Sequence, residues 1–117
     1  MLKHQKPKLT LLFKKHYVEQ IIQGAKTATR RPLRPMVKEG GTYHLKINFF
    51  ESLPYRIHVQ RLYEQTLDKM TPQDAEKEGY PSLKEFREEW ENLYPPWNPK
   101  QTVWVVEFEY AGTDRNP

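Results

Sequence analysis

Three stretches of the chain alternate apolar and polar side chains with a period of two, and they commit it to a sheet protein. In the first, Tyr43, Leu45, Ile47 and Phe49 share one face and His44, Lys46 and Asn48 the other. In the second, Tyr55, Ile57, Val59 and Arg61 oppose Arg56, His58 and Gln60. A short turn at Ser52-Leu53-Pro54 separates the two, so they pair as an antiparallel hairpin, entered through a Gly40-Gly41 turn. The third runs from Val103 to Tyr110, with Trp104, Val106, Phe108 and Tyr110 on one face. Val103 and Val105 on the other face predict a start buried on both sides.

Helical signals lie between these strands. Leu9 to Phe13 reads as a further short strand. Tyr17, Val18, Ile21 and Ile22 then recur at helical spacing, and Gly24 stands where a C-terminal cap belongs. The threonines of "AKTATRR" suit a strand, ended by Pro32 and Pro35. Thr71 caps a short helix with Pro72 at its first position and Asp74 in its first turn, ending near Gly79. Ser82 to Glu85 reads as a capping box, opening a helix with the stripe Leu83, Phe86, Trp90 and Leu93. The order contains no strand–helix–strand series, which disfavours a doubly wound parallel sheet. The expected architecture is α+β: a small, mostly antiparallel β-barrel with about three short helices packed at its openings. At 117 residues it forms one domain, 1–117, with its core over about 9–110 and a polar tail, 111–117, that frays. Phe86, Trp90, Trp104 and Phe108 are assigned to the core.

Composition removes several function classes. Without cysteine there is no disulfide, thiolate zinc site or cysteine nucleophile. His4, His16, His44 and His58 form no i, i+4 pair and have no acidic partner at ligand spacing, so no metal is expected. No phosphate-cradling glycine loop, dinucleotide fingerprint or Gly-x-Ser-x-Gly elbow occurs, so no cofactor is expected. No apolar run has membrane or signal-peptide length, so a cytoplasmic monomer without membrane contact is expected. Charge is unevenly spread. Residues 1–38 hold seven lysines and three arginines against one glutamate, whereas residues 64–93 hold nine acids against four bases. The first segment suits an anion such as RNA or a nucleotide, with Lys14, Lys15, Arg30, Arg31 and Arg34 as candidate contacts. Alternatively the two segments attract each other, and Arg30 pairs with an acid of the second.

The stretch "IIQGAKTATRRPLRP", Ile21 to Pro35, admits three readings by itself: a hydroxyl nucleophile beside a base, a nucleic-acid groove, or a helix-to-strand turn with a solvated basic edge. Gly24-Ala25-Lys26-Thr27-Ala28-Thr29-Arg30 resembles the ASCH-domain signature, a Gly-x-Lys-x-x-(Glu or Thr)-x-Arg pattern after the first helix, with Gly24, Lys26, Thr29 and Arg30 taken as its matches. The resemblance extends to the Phe13–Gly24 lead-in, to Leu67–Phe86 and to the closing strand, over about residues 9–110. It implies a PUA-like fold, an architecture that relatives use to hold RNA. The sequence looks closest to the branch that includes the bacterial N4-acetylcytidine amidohydrolase. That branch's pattern assigns a lysine as base, a threonine three residues later as nucleophile and a glutamate of the short helix as proton donor. Here these fall on Lys26, Thr29 and Glu78, with Glu76 as the neighbouring alternative. In a regular strand Lys26 and Thr29 would point to opposite faces, so the pairing requires a twist or bulge after Gly24. The basic, proline-rich segment from Arg30 to Pro35 and the bulky loop Tyr94-Pro95-Pro96-Trp97 depart from the small amidohydrolase and suit a longer ligand. Tyr17, Tyr43, Tyr80 and Trp97 are candidate stacking platforms for bases. The expected function is therefore RNA or nucleotide binding in a basic cleft around Gly24–Arg34, by a protein that partners RNA or a modified nucleoside. The alternative is a metal-independent amidohydrolase acting on N4-acetylcytidine.

Overall fold

The architecture is organised around its last strand. The computed structural model describes residues 9–114, which form α1 (Lys15–Ile22), β1 (Ala28–Arg31), β2 (Thr42–Lys46), β3 (Ser52–Thr66), a short 3-10 turn (Leu67–Lys69), α2 (Pro72–Lys77), α3 (Leu83–Leu93) and β4 (Thr102–Thr113). The four strands make one antiparallel sheet in the order β1-β4-β3-β2. β4 lies between β1 and β3, and its Val103, Val105, Val106 and Phe108 are all buried. The expected hairpin is present, with Thr42 opposite His58 and His44 opposite Arg56. β3 shifts register between Tyr55 and Ile57 and again between Val59 and Arg61, and such bulges bend and twist a strand.

Among the described residues the sheet does not close, so in place of the expected barrel stands an open four-stranded sheet. β1 stops at Arg31 because Pro32 and Pro35 cannot sustain a ladder. Leu9 to Phe13 is correspondingly not a strand. Only Leu9 forms a bridge, parallel to Pro35, and the segment otherwise runs irregularly across the open side. Its backbone links both edges: Leu9 N donates to Arg34 O at 2.9 Å, and Phe13 N donates to Lys46 O at 2.9 Å. β2 ends at Lys46, short of the expected run, and leaves Phe49 and Phe50 exposed in the turn. Ala111–Thr113, assigned to the fraying tail, continue β4, while residues 1–8 and 115–117 lie outside the described residues.

Two apolar clusters hold these elements. One joins Phe13, Val18 and Ile21 to Leu45, Ile57, Val59, Val106 and Phe108 under the sheet. The other joins Leu67, Met70 and Ala75 to Phe86, Trp90 and Val103. Trp104 is in neither; it is half-buried, with the Arg34 guanidinium 4.7 Å from its ring centroid. Among the described residues no helix is long and apolar enough to cross a membrane.

The ends of α1 and α2 follow local rules. Thr71 and Asp74 form a reciprocal capping box, with Pro72 opening α2. Gly24 takes φ +79° after α1, and Ala25 N and Lys26 N both donate to Gln20 O, at 2.8 and 3.1 Å. A Cβ at Gly24 would meet nothing within 4 Å. The cost of Gly24→Ala is thus the left-handed backbone alone, about 1–2 kcal/mol. Urea titration should show a lower midpoint at unchanged slope.

Candidate functional site

The turn after α1 supplies the site's first cation. Because Gly24 reverses the chain, Lys26 and Thr27 precede β1 in irregular backbone. Thr27 N donates to Lys77 O at 2.7 Å, and Thr27 O accepts from Phe108 N at 2.9 Å. This clamp between α2 and β4 provides the twist that a regular strand would lack. Lys26 and Thr29 consequently line the same cleft. At the end of α2 the chain turns through Gly79, at φ +96°, and places Glu78 inside. Glu76 is exposed.

Four polar side chains are buried together at the base of this cleft: Lys26, Thr29, Arg30 and Glu78. Lys26 Nζ donates to Glu78 O at 2.9 Å and lies 3.4 Å from Glu78 Oε1. Arg30 Nη1 donates to Glu78 Oε2 at 2.8 Å. The rest of the Arg30 guanidinium reaches Gln65 Oε1, at 2.9 and 3.3 Å, and Asp74, at 3.6 Å. A single carboxylate therefore bridges two buried cations, the arrangement in which buried charge is tolerated. Burial pulls the Lys26 ammonium below its ordinary pKa; Glu78 opposes this, while Arg31 and Arg30 add to it. Lys26 also lies over the Tyr17 ring, 4.7 Å from its centroid.

Thr29 and Arg31 share a face of β1. Arg31 Nε donates to Thr29 Oγ1 at 3.0 Å, and the guanidinium lies 5.1 Å from the Phe13 ring centroid. This corrects the placement of the sequence signature. Counted from Gly24, its arginine falls on Arg31, the neighbour of Thr29, whereas Arg30 is an internal ion-pair partner of Glu78. The two remaining cations fall differently again. Lys14 stands at the mouth of the cleft, largely exposed and 3.9 Å from Glu89. Lys15 and Arg34 do not line it.

The cleft encloses about 160 Å³. Tyr17, Tyr80, Trp90 and Tyr94 wall it. Tyr17 and Tyr80 share a 2.6 Å hydroxyl contact, and burial raises the pKa of both. Trp90 and Tyr94 are ring neighbours with centroids 4.6 Å apart. Trp90, assigned from its helical stripe to the core, does both jobs: it is buried and lines the cleft, and its Nε1 has no hydrogen-bond partner among the described residues. Tyr43 and Trp97 lie elsewhere, Tyr43 against the sheet core and Trp97 beneath Arg87. Among the described residues no cluster of three or more histidines and acids could hold a metal ion.

These features define a small α+β protein with a charged cleft floored by a Lys–Glu–Arg cluster. Its fold is that of known structures. Protein EF3133 from Enterococcus faecalis V583, of family DUF984, superimposes with a TM-score of 0.64 at 18% identity, over 97% of this chain and 81% of that one. The ASCH domain from Lactobacillus crispatus JV V101 superimposes with a TM-score of 0.56 at 16% identity, over 79% of this chain and 68% of that one. The chain has the ASCH-domain fold. No protein-family model and no curated protein matches its sequence.

Glu78→Ala leaves Lys26 and Arg30 buried without their shared counter-charge. It should lower unfolding free energy by about 3–5 kcal/mol, read from denaturant melts. Lys26 makes a separate prediction. In the window between its lowered folded value and the ordinary 10.5, the unfolded chain binds more protons, so stability rises with pH there. Relative to Lys26→Met, the native protein should gain stability as pH climbs through that window toward 10.5; a pH-independent difference would contradict this.

Proposed function

We propose that the cleft binds a single cytosine-type base and hydrolyses an acyl group from its exocyclic amine. The observation that carries the reading is the convergence of Lys26, Thr29 and Glu78, from three separate elements, at one buried point beneath aromatic walls. A cleft of about 160 Å³ suits one planar base rather than the face of an RNA helix.

The cluster supports a balanced proton cycle. Lys26 and Glu78 hold the same number of protons as ammonium and carboxylate or as amine and carboxylic acid, and the cycle starts from the second form, reached when the Lys26 proton passes to Glu78 across their 3.4 Å contact. In that form Thr29 Oγ attacks the acyl carbon while its proton passes to Lys26 Nζ. Arg31 Nε, already bonded to Thr29 Oγ1, leaves the hydroxyl hydrogen free for the base. The carbon–nitrogen bond breaks as Glu78 gives its proton to the leaving amine. Arg30, 2.8 Å from Glu78 Oε2, stabilises the carboxylate that results. Water then attacks the acyl-threonine and gives one proton to Glu78, Lys26 returns a proton to Thr29 Oγ, and the carboxylic acid departs. Both residues end as they began.

A second reading, RNA binding without catalysis, draws on Lys14 and Arg31 at the upper part of the cleft. Purified protein incubated with N4-acetylcytidine separates the two. Turnover is expected for the native chain. Lys26→Met and Glu78→Gln should each lose about 10²–10⁴-fold, and Thr29→Ala should lose turnover entirely, together with the acetyl adduct that mass spectrometry would find on Thr29. Native turnover no faster than that of Thr29→Ala would overturn hydrolysis and leave binding, whose RNA affinity should fall steeply with salt.

A further inference from the structure

A second, apolar groove runs beside the cleft and shares a wall with it. It encloses about 200 Å³ between Leu9, Pro32, Leu33 and Pro35, and Arg31 and Tyr94 line both it and the cleft. The prolines give it a backbone of fixed φ. Leu33 and Tyr94 are 40% and 37% exposed, so the groove presents an apolar edge and an aromatic one to solvent.

The shared wall carries a cation with no direct ion pair among the described residues. Arg30, one residue earlier, reaches two carboxylates. Arg31 is largely withdrawn from water, yet it forms no ion pair among the described residues; its one hydrogen bond goes to the neutral Thr29 hydroxyl. A guanidinium so placed is complementary to an oxyanion, above all to a phosphate. Crossing this ridge from the cleft, the chemistry runs from a base-sized aromatic pocket, to a guanidinium without a direct carboxylate partner among the described residues, to a preformed apolar and aromatic shelf. Single-stranded nucleic acid repeats the same sequence of base, phosphodiester and base.

We infer that the groove is a subsite for the neighbouring nucleotide of a single strand, with the reacting base in the cleft, the phosphodiester on Arg31 and the next base against Leu33, Pro32 and Tyr94. The inference rests on the nucleobase reading of the cleft, and it gives the "RRPLRP" segment a role that a free nucleoside would leave unused.

Binding to the Thr29→Ala protein tests it without turnover. Calorimetry would compare N4-acetylcytidine with two dinucleotides carrying adenosine on its 5′ or its 3′ side. One polarity should bind at least about fivefold more tightly than the nucleoside, the factor one stacked base contributes at the lower end. A methylphosphonate linkage should lose part of that gain, and Leu33→Asp, an exposed position that folding tolerates, should abolish it. Equal affinity for the nucleoside and both dinucleotides overturns the subsite while leaving the nucleobase reading intact. So does a gain that survives Leu33→Asp. A comparable gain from N4-hexanoylcytidine, lost in Leu33→Asp, would assign the groove to an acyl chain and overturn it too. Absence of binding by all ligands removes both readings.

Discussion

Glu78 is the residue on which the arrangement depends. Its carboxylate is almost wholly withdrawn from water between Lys26 and Arg30, which arrive from the turn after α1 and from β1. Each cation would be costly to bury alone. The three charges therefore fix the end of α2 against β1 and the α1 turn, and the Thr27–Lys77 backbone bond adds a direct link. Such a cluster is a poor source of net stability, because an apolar substitute of equal volume is often as stable or more so. What it supplies is placement: two proton-carrying groups in contact beside a hydroxyl.

That placement falls at the seam between the two apolar clusters. α1 and the sheet lie on one side, and α2 and α3 on the other. α3 serves both purposes through one stripe: Phe86 and Trp90 are core residues and also cleft wall. The buried indole nitrogen without a partner marks where packing alone is insufficient to explain the residue. A core filled for stability would place a phenylalanine there at no hydrogen-bonding cost.

Much of this was legible because it rests on local chemistry. The cap at Gly24, the Thr71 capping box, the α3 stripe and the central hairpin follow from neighbouring residues, and the structure contains each of them. The grouping of Lys26, Thr29 and Glu78 came from resemblance, and irregular backbone after Gly24 satisfies the geometric condition it required. What periodicity could not reveal was long-range. Whether β1 and β2 would meet depended on prolines after Arg31 and on a crossing by Leu9–Phe13 that makes isolated hydrogen bonds rather than a ladder. "LTLLF" is apolar because it covers the open side, not because it is a strand. Trp104 misled for a similar reason: alternation along β4 does not say that Arg34 and solvent, rather than core, lie over its ring.

The paired arginines show how finely strand geometry divides a charge run that looks uniform in sequence. Arg30 and Arg31 are adjacent and chemically identical, and alternation sends them to different environments. Arg30 turns to acids of the 64–93 segment, Glu78 and Asp74, and so realises the internal attraction that the charge asymmetry suggested. Arg31 takes the face of Thr29, where no carboxylate pairs with it among the described residues. The internal-pairing reading of the basic segment thus holds for Arg30. Internal pairing consumes one cation to hold the proton-carrying cluster in place, and the next stands beside the hydroxyl, its Nε bonded to Thr29 Oγ1.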